Sequence, residues 1–106
     1  MLRALDRGDG ELVEGLARQY QQDSSAQLAN VQQALADSDA QMLGRAAHSL
    51  AGSSATLGAT HLAELCAELE EVGRSGALVD APDLVADATI ELGQVQIVLR
   101  RLLVET

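Results

Sequence analysis

The sequence predicts an all-α protein, an antiparallel (up-and-down) bundle of four helices. Apolar residues recur at steps of three and four along nearly the whole chain, which is the period of an amphipathic helix. No segment alternates apolar and polar residues over a length that would suit a half-buried strand. The segments between the periodic stretches are short, so successive helices should be antiparallel neighbours. We therefore expect one helical-bundle domain over residues 1–106.

The first two helices follow from this apolar spacing and from the polar residues between them. A first helix is predicted over residues 10–36, as one helix or as two that meet at residues 23–25, and residues 2–6 can form a short leading helix. The side chain of Asp39 can accept a hydrogen bond from an unpaired backbone amide of a following first turn, which makes it a suitable N-cap. A second helix is therefore predicted over residues 39–57, and Gly58 is predicted to end it.

The last two helices are predicted from their start and stop signals. Thr60 can cap a third helix, and Gly73 with Gly76 supplies its end, since glycine readily adopts the left-handed conformation that closes a helix. Asp80 and Pro82 suit the cap and first turn of a fourth helix, because the first turn leaves unpaired the amide that proline lacks. The predicted boundaries of the third and fourth helices are therefore marked by residues that typically begin or end a helix.

Composition and charge exclude several classes of function. Hydrophobic residues make up 47% of the chain and Tyr20 is its single aromatic residue, so leucine, valine and alanine must fill the core. The formal net charge of -9 opposes binding to nucleic acid or to an anionic membrane surface. The single cysteine, Cys66, cannot form an internal disulfide, and no cluster of histidine and cysteine has the spacing of a metal site. We expect a cytoplasmic monomer that does not insert in a membrane and uses no metal or cofactor.

The second predicted helix has a histidine on its solvent side. On a helical wheel Leu43, Leu50 and Leu57 form one stripe that must face the core, and His48 lies opposite. Most of the side chains that share its face are small: Gln41, Gly44, Arg45, Ala51, Gly52 and Ala55. A glycine inside a helix lowers helix stability by about 1 kcal/mol relative to alanine. The clearance that a docking partner needs would explain why this helix contains both Gly44 and Gly52. Spacing alone leaves open that this is an ordinary solvated histidine.

The segment around His48 also resembles a known signature. Residues 47–58, Ala-His-Ser-Leu-Ala-Gly-Ser-Ser-Ala-Thr-Leu-Gly, are similar to the pattern His-x-Leu-Lys-Gly-Ser-Ser-x-x-Leu-Gly of histidine-containing phosphotransfer (HPt) domains. Residues 62–70 are similar to the helix that follows in that family, and Gly73-Arg74 fits the loop after it. The resemblance spans nearly the whole chain and implies a four-helix bundle with an exposed acceptor histidine.

The resemblance implies histidine phosphotransfer in a two-component phosphorelay. His48 would accept a phosphoryl group from the aspartate of a response-regulator receiver domain and donate it to another, with a sensor or hybrid histidine kinase in the same relay. The receiver would dock on the small side chains around the acceptor: Gln41, Gly44, Ala51, Gly52 and Ala55. The chain has no nucleotide-binding motif, so we expect a phosphocarrier without kinase activity of its own.

One position departs from the signature. Ala51 stands where the family usually has a lysine that supports the phosphoryl group, and Arg45, three residues before His48 on the same helix surface, is the best substitute. The missing lysine leaves an alternative open, a docking module that binds a receiver through this face without carrying phosphate.

Other reactive residue types have simpler interpretations. His61 should be a surface histidine, Cys66 should fill the core, and Ser53 and Ser54 should be small packing residues. Four acidic residues are expected on a solvated helix face: Glu64, Glu68, Glu70 and Glu71.

Overall fold

The computed structural model describes the backbone of residues 2–105 and the side chains of residues 12–103. Within that range the chain forms helices and no strand, so the predicted all-α fold is confirmed. The helices are α1 (Leu2–Ala36), α2 (Ala40–Leu57), α3 (Thr60–Ser75) and α4 (Ala81–Glu105), with a short 3-10 helix at Leu78–Asp80. Over the described residues, no helix has the length and apolar character needed to cross a membrane.

The first helix is longer than the sequence predicted. It runs without interruption over Leu2–Ala36, so the leading segment is part of α1 and residues 23–25 do not divide it. Ser24 is fully buried, and the hydroxyl of Ser25 donates to the carbonyl oxygen of Gln21 at 3.1 Å. A serine bonded in this way to the preceding turn is compatible with a continuous helix.

Three of the predicted helix boundaries are confirmed, one by a capping hydrogen bond and two by left-handed glycines. The Asp39 carboxylate accepts from the backbone amide of Met42 at 3.0 Å and caps α2. Gly58 ends α2 and Gly76 ends α3, with φ angles of 92° and 79° in the left-handed region that glycine tolerates.

Two other boundary assignments were wrong. Thr60 is the first residue of α3 rather than its cap, because Ala59 precedes the helix and makes no side-chain capping bond. Asp80 belongs to the 3-10 helix, which continues into α4, while Pro82 lies in the first turn of α4 as predicted.

The core lies between the four helices and consists mainly of leucine, alanine and valine. Leu43 and Leu50 of α2 are fully buried, as the wheel predicted. Tyr20 of α1 is also buried, and its hydroxyl shares a hydrogen bond of 2.9 Å with the hydroxyl of Ser54 on α2. This bond satisfies two polar groups that would otherwise be costly to bury.

Helices α2 and α3 come into close backbone contact at a pair of glycines. A Cβ atom added to Gly73 would lie 2.6 Å from the amide nitrogen of Gly44 and 2.7 Å from the carbonyl oxygen of Ala40. Because α3 runs over Thr60–Ser75, Gly73 lies inside the helix and does not end it, contrary to the sequence prediction. Gly44, predicted to provide open space, instead contacts Gly73. Their close contact places the last turns of α3 beside the first two turns of α2.

Candidate functional site

The solvent-facing side of α2 is centred on a histidine. His48 lies on the face opposite Leu43 and Leu50, and 74% of its side chain is exposed. Arg45, one turn earlier on α2, is exposed as well. A nucleophile on such a surface is accessible to a macromolecular partner.

A glutamate from the neighbouring helix holds the histidine ring. The Nδ1 atom of His48 lies 3.0 Å from Oε2 of Glu70, whose side chain is only 26% exposed. The prediction that Glu70 lies on a solvated helix face is wrong, because its side chain is partly buried against His48. The informative signal was its position three residues before Gly73, which puts both residues on the side of α3 that contacts α2. The carboxylate can accept a hydrogen bond from Nδ1–H, and in that tautomer the other ring nitrogen, Nε2, carries the free lone pair.

Arg74 extends this network. One of its guanidinium nitrogens donates to Oε2 of Glu70 at 3.3 Å, and the other donates to Oε2 of Glu71 at 2.6 Å. The family resemblance implied that Arg74 lies in a loop, but Arg74 lies in the last turn of α3. The arginine restricts the Glu70 carboxylate and compensates part of its charge where the carboxylate meets His48.

These side chains surround a shallow depression between α2 and α3 with a volume of about 750 Å³. It is lined by Ala40, Gln41, Gly44, Arg45, His48, Ser49, Glu70, Gly73 and Arg74. Arg74 is held by two glutamates, whereas no salt bridge of Arg45 occurs among the described side chains. Arg45 is thus the cation of the depression that is available to an incoming anion.

The predicted docking residues divide into two groups. Gln41 and Gly44 line the depression together with His48, while Ala51, Gly52 and Ala55 follow further along α2 and do not line it. Gly52 is exposed, and a Cβ atom added there would meet nothing within 4 Å. Ala51 is partly buried against the core. Open space therefore exists at Gly52, and not at Gly44.

The other residues considered in the sequence lie outside the depression around His48. His61 is exposed at the start of α3, away from the depression. Cys66 is fully buried, and burial raises the pKa of its thiol to about 11. The hydroxyl of Ser53 donates to the side-chain oxygen of Gln27 at 3.1 Å, and Ser54 is buried. In the part of the chain that the structure describes, no three histidine, cysteine, aspartate or glutamate side chains are grouped to hold a metal ion.

Comparison with known proteins gives two findings. The sequence model of the family described as Hpt domain matches residues 15–103. The structure is similar to the crystal structure of histidine-containing phosphotransfer protein B (HptB) from Pseudomonas aeruginosa PAO1, with a TM-score of 0.90 and 33% sequence identity. The match covers 99% of this chain and 91% of that protein. Among curated proteins, none matches the chain.

Proposed function

Since the chain belongs to the Hpt domain family and its function is histidine phosphotransfer in a phosphorelay, we propose that His48 is the residue that carries the phosphoryl group. The observation that carries this assignment is the exposed imidazole of His48, whose Nδ1 atom lies 3.0 Å from Oε2 of Glu70. The other histidine, His61, has no comparable partner on an adjacent helix among the described residues. The alternative of a docking module without phosphate is not favoured, because the match to a phosphotransfer protein covers 99% of the chain.

The contact with Glu70 suggests how the ring acts as a nucleophile. With Nδ1–H donated to the carboxylate, Nε2 attacks the phosphorus of an aspartyl phosphate on a receiver domain. The N–P bond forms as the bond between phosphorus and the aspartyl oxygen breaks, and the aspartate leaves as a carboxylate. The positive charge that develops on the ring is stabilised by Glu70. The reverse sequence donates the phosphoryl group to another receiver aspartate.

Arg45 supports the phosphoryl group in this proposal. Phosphorylation adds about two negative charges to an already acidic chain. Arg45 lines the same depression as His48 and is exposed, so its guanidinium can reach an anion there without first leaving another carboxylate. It takes the place of the lysine that Ala51 replaces.

HPt proteins interact in general with receiver domains and histidine kinases, and we propose that this chain does so through the His48 face. Gln41 and Gly44 form one part of the docking surface, and Ala51, Gly52 and Ala55 form the other, with open space above Gly52. We further propose that residues 1–106 act as one domain, which the family match over residues 15–103 supports. We also propose that the relay acts in the cytoplasm, as expected from the sequence.

The acceptor assignment is tested by incubating variants with a phosphorylated receiver domain. His48→Gln should retain the helical fold and take up no phosphate. The matched control is His61→Gln, which removes the other exposed histidine and should accept phosphate at the parent rate. Acid-labile label on His48→Gln, or its loss from His61→Gln, would show that the assignment is wrong.

The role of Glu70 is tested separately from acceptance by NMR of the imidazole nitrogens. In the parent the ring should be mainly the Nδ1–H tautomer, and Glu70→Ala should shift the population toward Nε2–H and slow phosphoryl transfer. Glu71→Ala is the matched control, because Glu71 also pairs with Arg74 but does not contact the ring. An unchanged tautomer ratio in Glu70→Ala would contradict the positioning role.

A further inference from the structure

Two side chains share one carboxylate oxygen beside the exposed histidine. Oε2 of Glu70 lies 3.0 Å from Nδ1 of His48 and accepts a hydrogen bond of 3.3 Å from a guanidinium nitrogen of Arg74. Because both contacts end on the same atom, the guanidinium nitrogen lies within about 6 Å of the ring nitrogen, a distance at which one charge affects the protonation of another group. Arg74 can therefore act on the imidazole through Glu70.

Glu70 by itself has two opposite effects on a nucleophilic histidine. Its hydrogen bond with Nδ1–H orients the ring, and in that tautomer Nε2 carries the lone pair. Its negative charge also favours the imidazolium form, in which both ring nitrogens carry protons and neither can attack phosphorus. Water screens this charge weakly, because only 26% of the Glu70 side chain is exposed. Phosphoryl acceptance needs the first effect without the second.

Arg74 lies where it can separate these two effects. Its positive charge is held against the Glu70 carboxylate, which keeps its contact with Nδ1 of His48. A second contact of 2.6 Å, to Glu71, holds the guanidinium from the other side. Glu71 is 68% exposed, so water screens its charge more than that of Glu70. At the imidazole, the arginine therefore cancels part of the charge of Glu70 and leaves the hydrogen bond in place.

The other charged groups around the ring do not provide this compensation. The charged residues that line the depression are Arg45 on α2 and Glu70 and Arg74 on α3, and no described side chain of α1 or α4 lines it. Among the described side chains, Arg45 makes no salt bridge with Glu70. Arg45 is thus left for the phosphoryl group, and Arg74 is the arginine bound to Glu70.

We propose that Arg74 is a positioning residue that keeps His48 unprotonated at neutral pH while Glu70 orients its ring. Its effect on transfer rests on the proposed role of His48 as acceptor, whereas its effect on the ring is a property of the free protein. Removing the positive charge should leave the fold intact, since an exposed ion pair within one helix contributes little to stability. It should also make the imidazole easier to protonate, so that fewer molecules have a nucleophile at neutral pH.

NMR of the imidazole nitrogens over a series of pH values tests the effect on the ring without a partner protein. In Arg74→Gln the midpoint of the His48 titration should rise by about 0.5 to 1 pH unit, as expected when one partly screened charge is lost at this distance. Arg74→Lys retains the charge and should restore the parent midpoint. His61 is the internal control in the same spectra and should titrate as in the parent.

The rate of phosphoryl acceptance from a receiver domain gives the second measurement. In Arg74→Gln the rate should fall about three- to tenfold on the acidic side of the pH profile, which is the same displacement expressed as a rate, and it should approach the parent rate at high pH. High salt should reduce the difference by screening. The matched control is Arg18→Gln, because Arg18 also pairs with a glutamate four residues earlier and lies outside the depression.

Three outcomes overturn the proposal. An unchanged titration midpoint in Arg74→Gln is the first, and a midpoint that Arg74→Lys does not restore is the second. The third is an equally large rise when Arg74→Gln is combined with Glu70→Gln, because the arginine would then act independently of the carboxylate. If the midpoint rises as expected but even the parent accepts no phosphate, the assignment of His48 as acceptor fails and the effect of Arg74 on the ring stands.

Discussion

Replacing Gly73 by alanine should separate α2 from α3 and impair phosphoryl transfer without touching a reactive group. Gly73 is buried in α3, and its missing side chain allows the two helices to approach. An added Cβ atom would lie 2.6 Å from the amide nitrogen of Gly44 and 2.7 Å from the carbonyl oxygen of Ala40. Both atoms belong to the backbone of α2, so no side-chain rotation can remove the overlap.

The size of the effect follows from two opposing contributions to the free energy of unfolding. Alanine is favoured over glycine in a helix interior by about 1 kcal/mol. Overpacking a rigid contact costs about 1 to 3 kcal/mol, and the upper value applies here because backbone atoms must move. Gly73→Ala should therefore destabilise the protein by about 2 kcal/mol.

The matched control is Gly44→Ala on the other side of the same contact. A Cβ atom there would lie 3.6 Å from the carbonyl oxygen of Glu70 and 3.7 Å from Cα of Gly73, which are ordinary contact distances. This variant should keep the helix-propensity gain of up to about 1 kcal/mol. The two alanine variants should thus differ in stability by about 3 kcal/mol, with opposite signs relative to the parent.

Urea unfolding followed by far-ultraviolet circular dichroism measures both free energies, and transfer from a phosphorylated receiver measures function. Because Glu70 lies one turn before Gly73, moving α3 outward should lengthen the contact between Glu70 and His48 and slow transfer in Gly73→Ala alone. The reasoning is refuted if Gly73→Ala is as stable as the parent, or if both variants change stability in the same direction.

Three further predictions concern single residues. Arg45→Ala should shorten the lifetime of the phosphohistidine by up to about tenfold, because it removes an exposed charge-assisted contact, and Ala51→Lys should restore it; an unchanged lifetime would contradict the phosphate-supporting role. Gly52→Gln should raise the free energy of unfolding by up to about 1 kcal/mol yet slow transfer by occupying the space above Gly52, so unchanged transfer would show that this space is not used. Folding raises the pKa of the Cys66 thiol from 9.0 to about 11, so the neutral thiol stabilises the fold below about pH 9. This contribution should be lost as the pH rises toward 11, and Cys66→Ala should weaken the pH dependence of urea unfolding.

The sequence was sufficient for the fold class, most of the helix boundaries and the face on which His48 lies. These features depend on local rules, because apolar periodicity, capping side chains and left-handed glycines act within a few residues of the chain. Asp39, Gly58 and Gly76 show this directly, since each makes its bond within the neighbouring turn. The same rules fail at Thr60, where the local signal was correct in type and displaced by one position.

Tertiary structure alone decided what surrounds the histidine. Glu70 lies 22 residues from His48 in the sequence, and its carboxylate reaches Nδ1 only because two glycines allow α2 and α3 to approach. Gly44 and Gly73 look in the sequence like clearance for a partner and like a helix end, whereas they form one contact between helices. Their roles depend on the distance between two separate helices. The spacing of residues within one helix does not predict that distance. The sequence of α2 therefore determined that a histidine faces solvent, and the packing of α3 against it determined that its Nδ1 atom contacts Glu70.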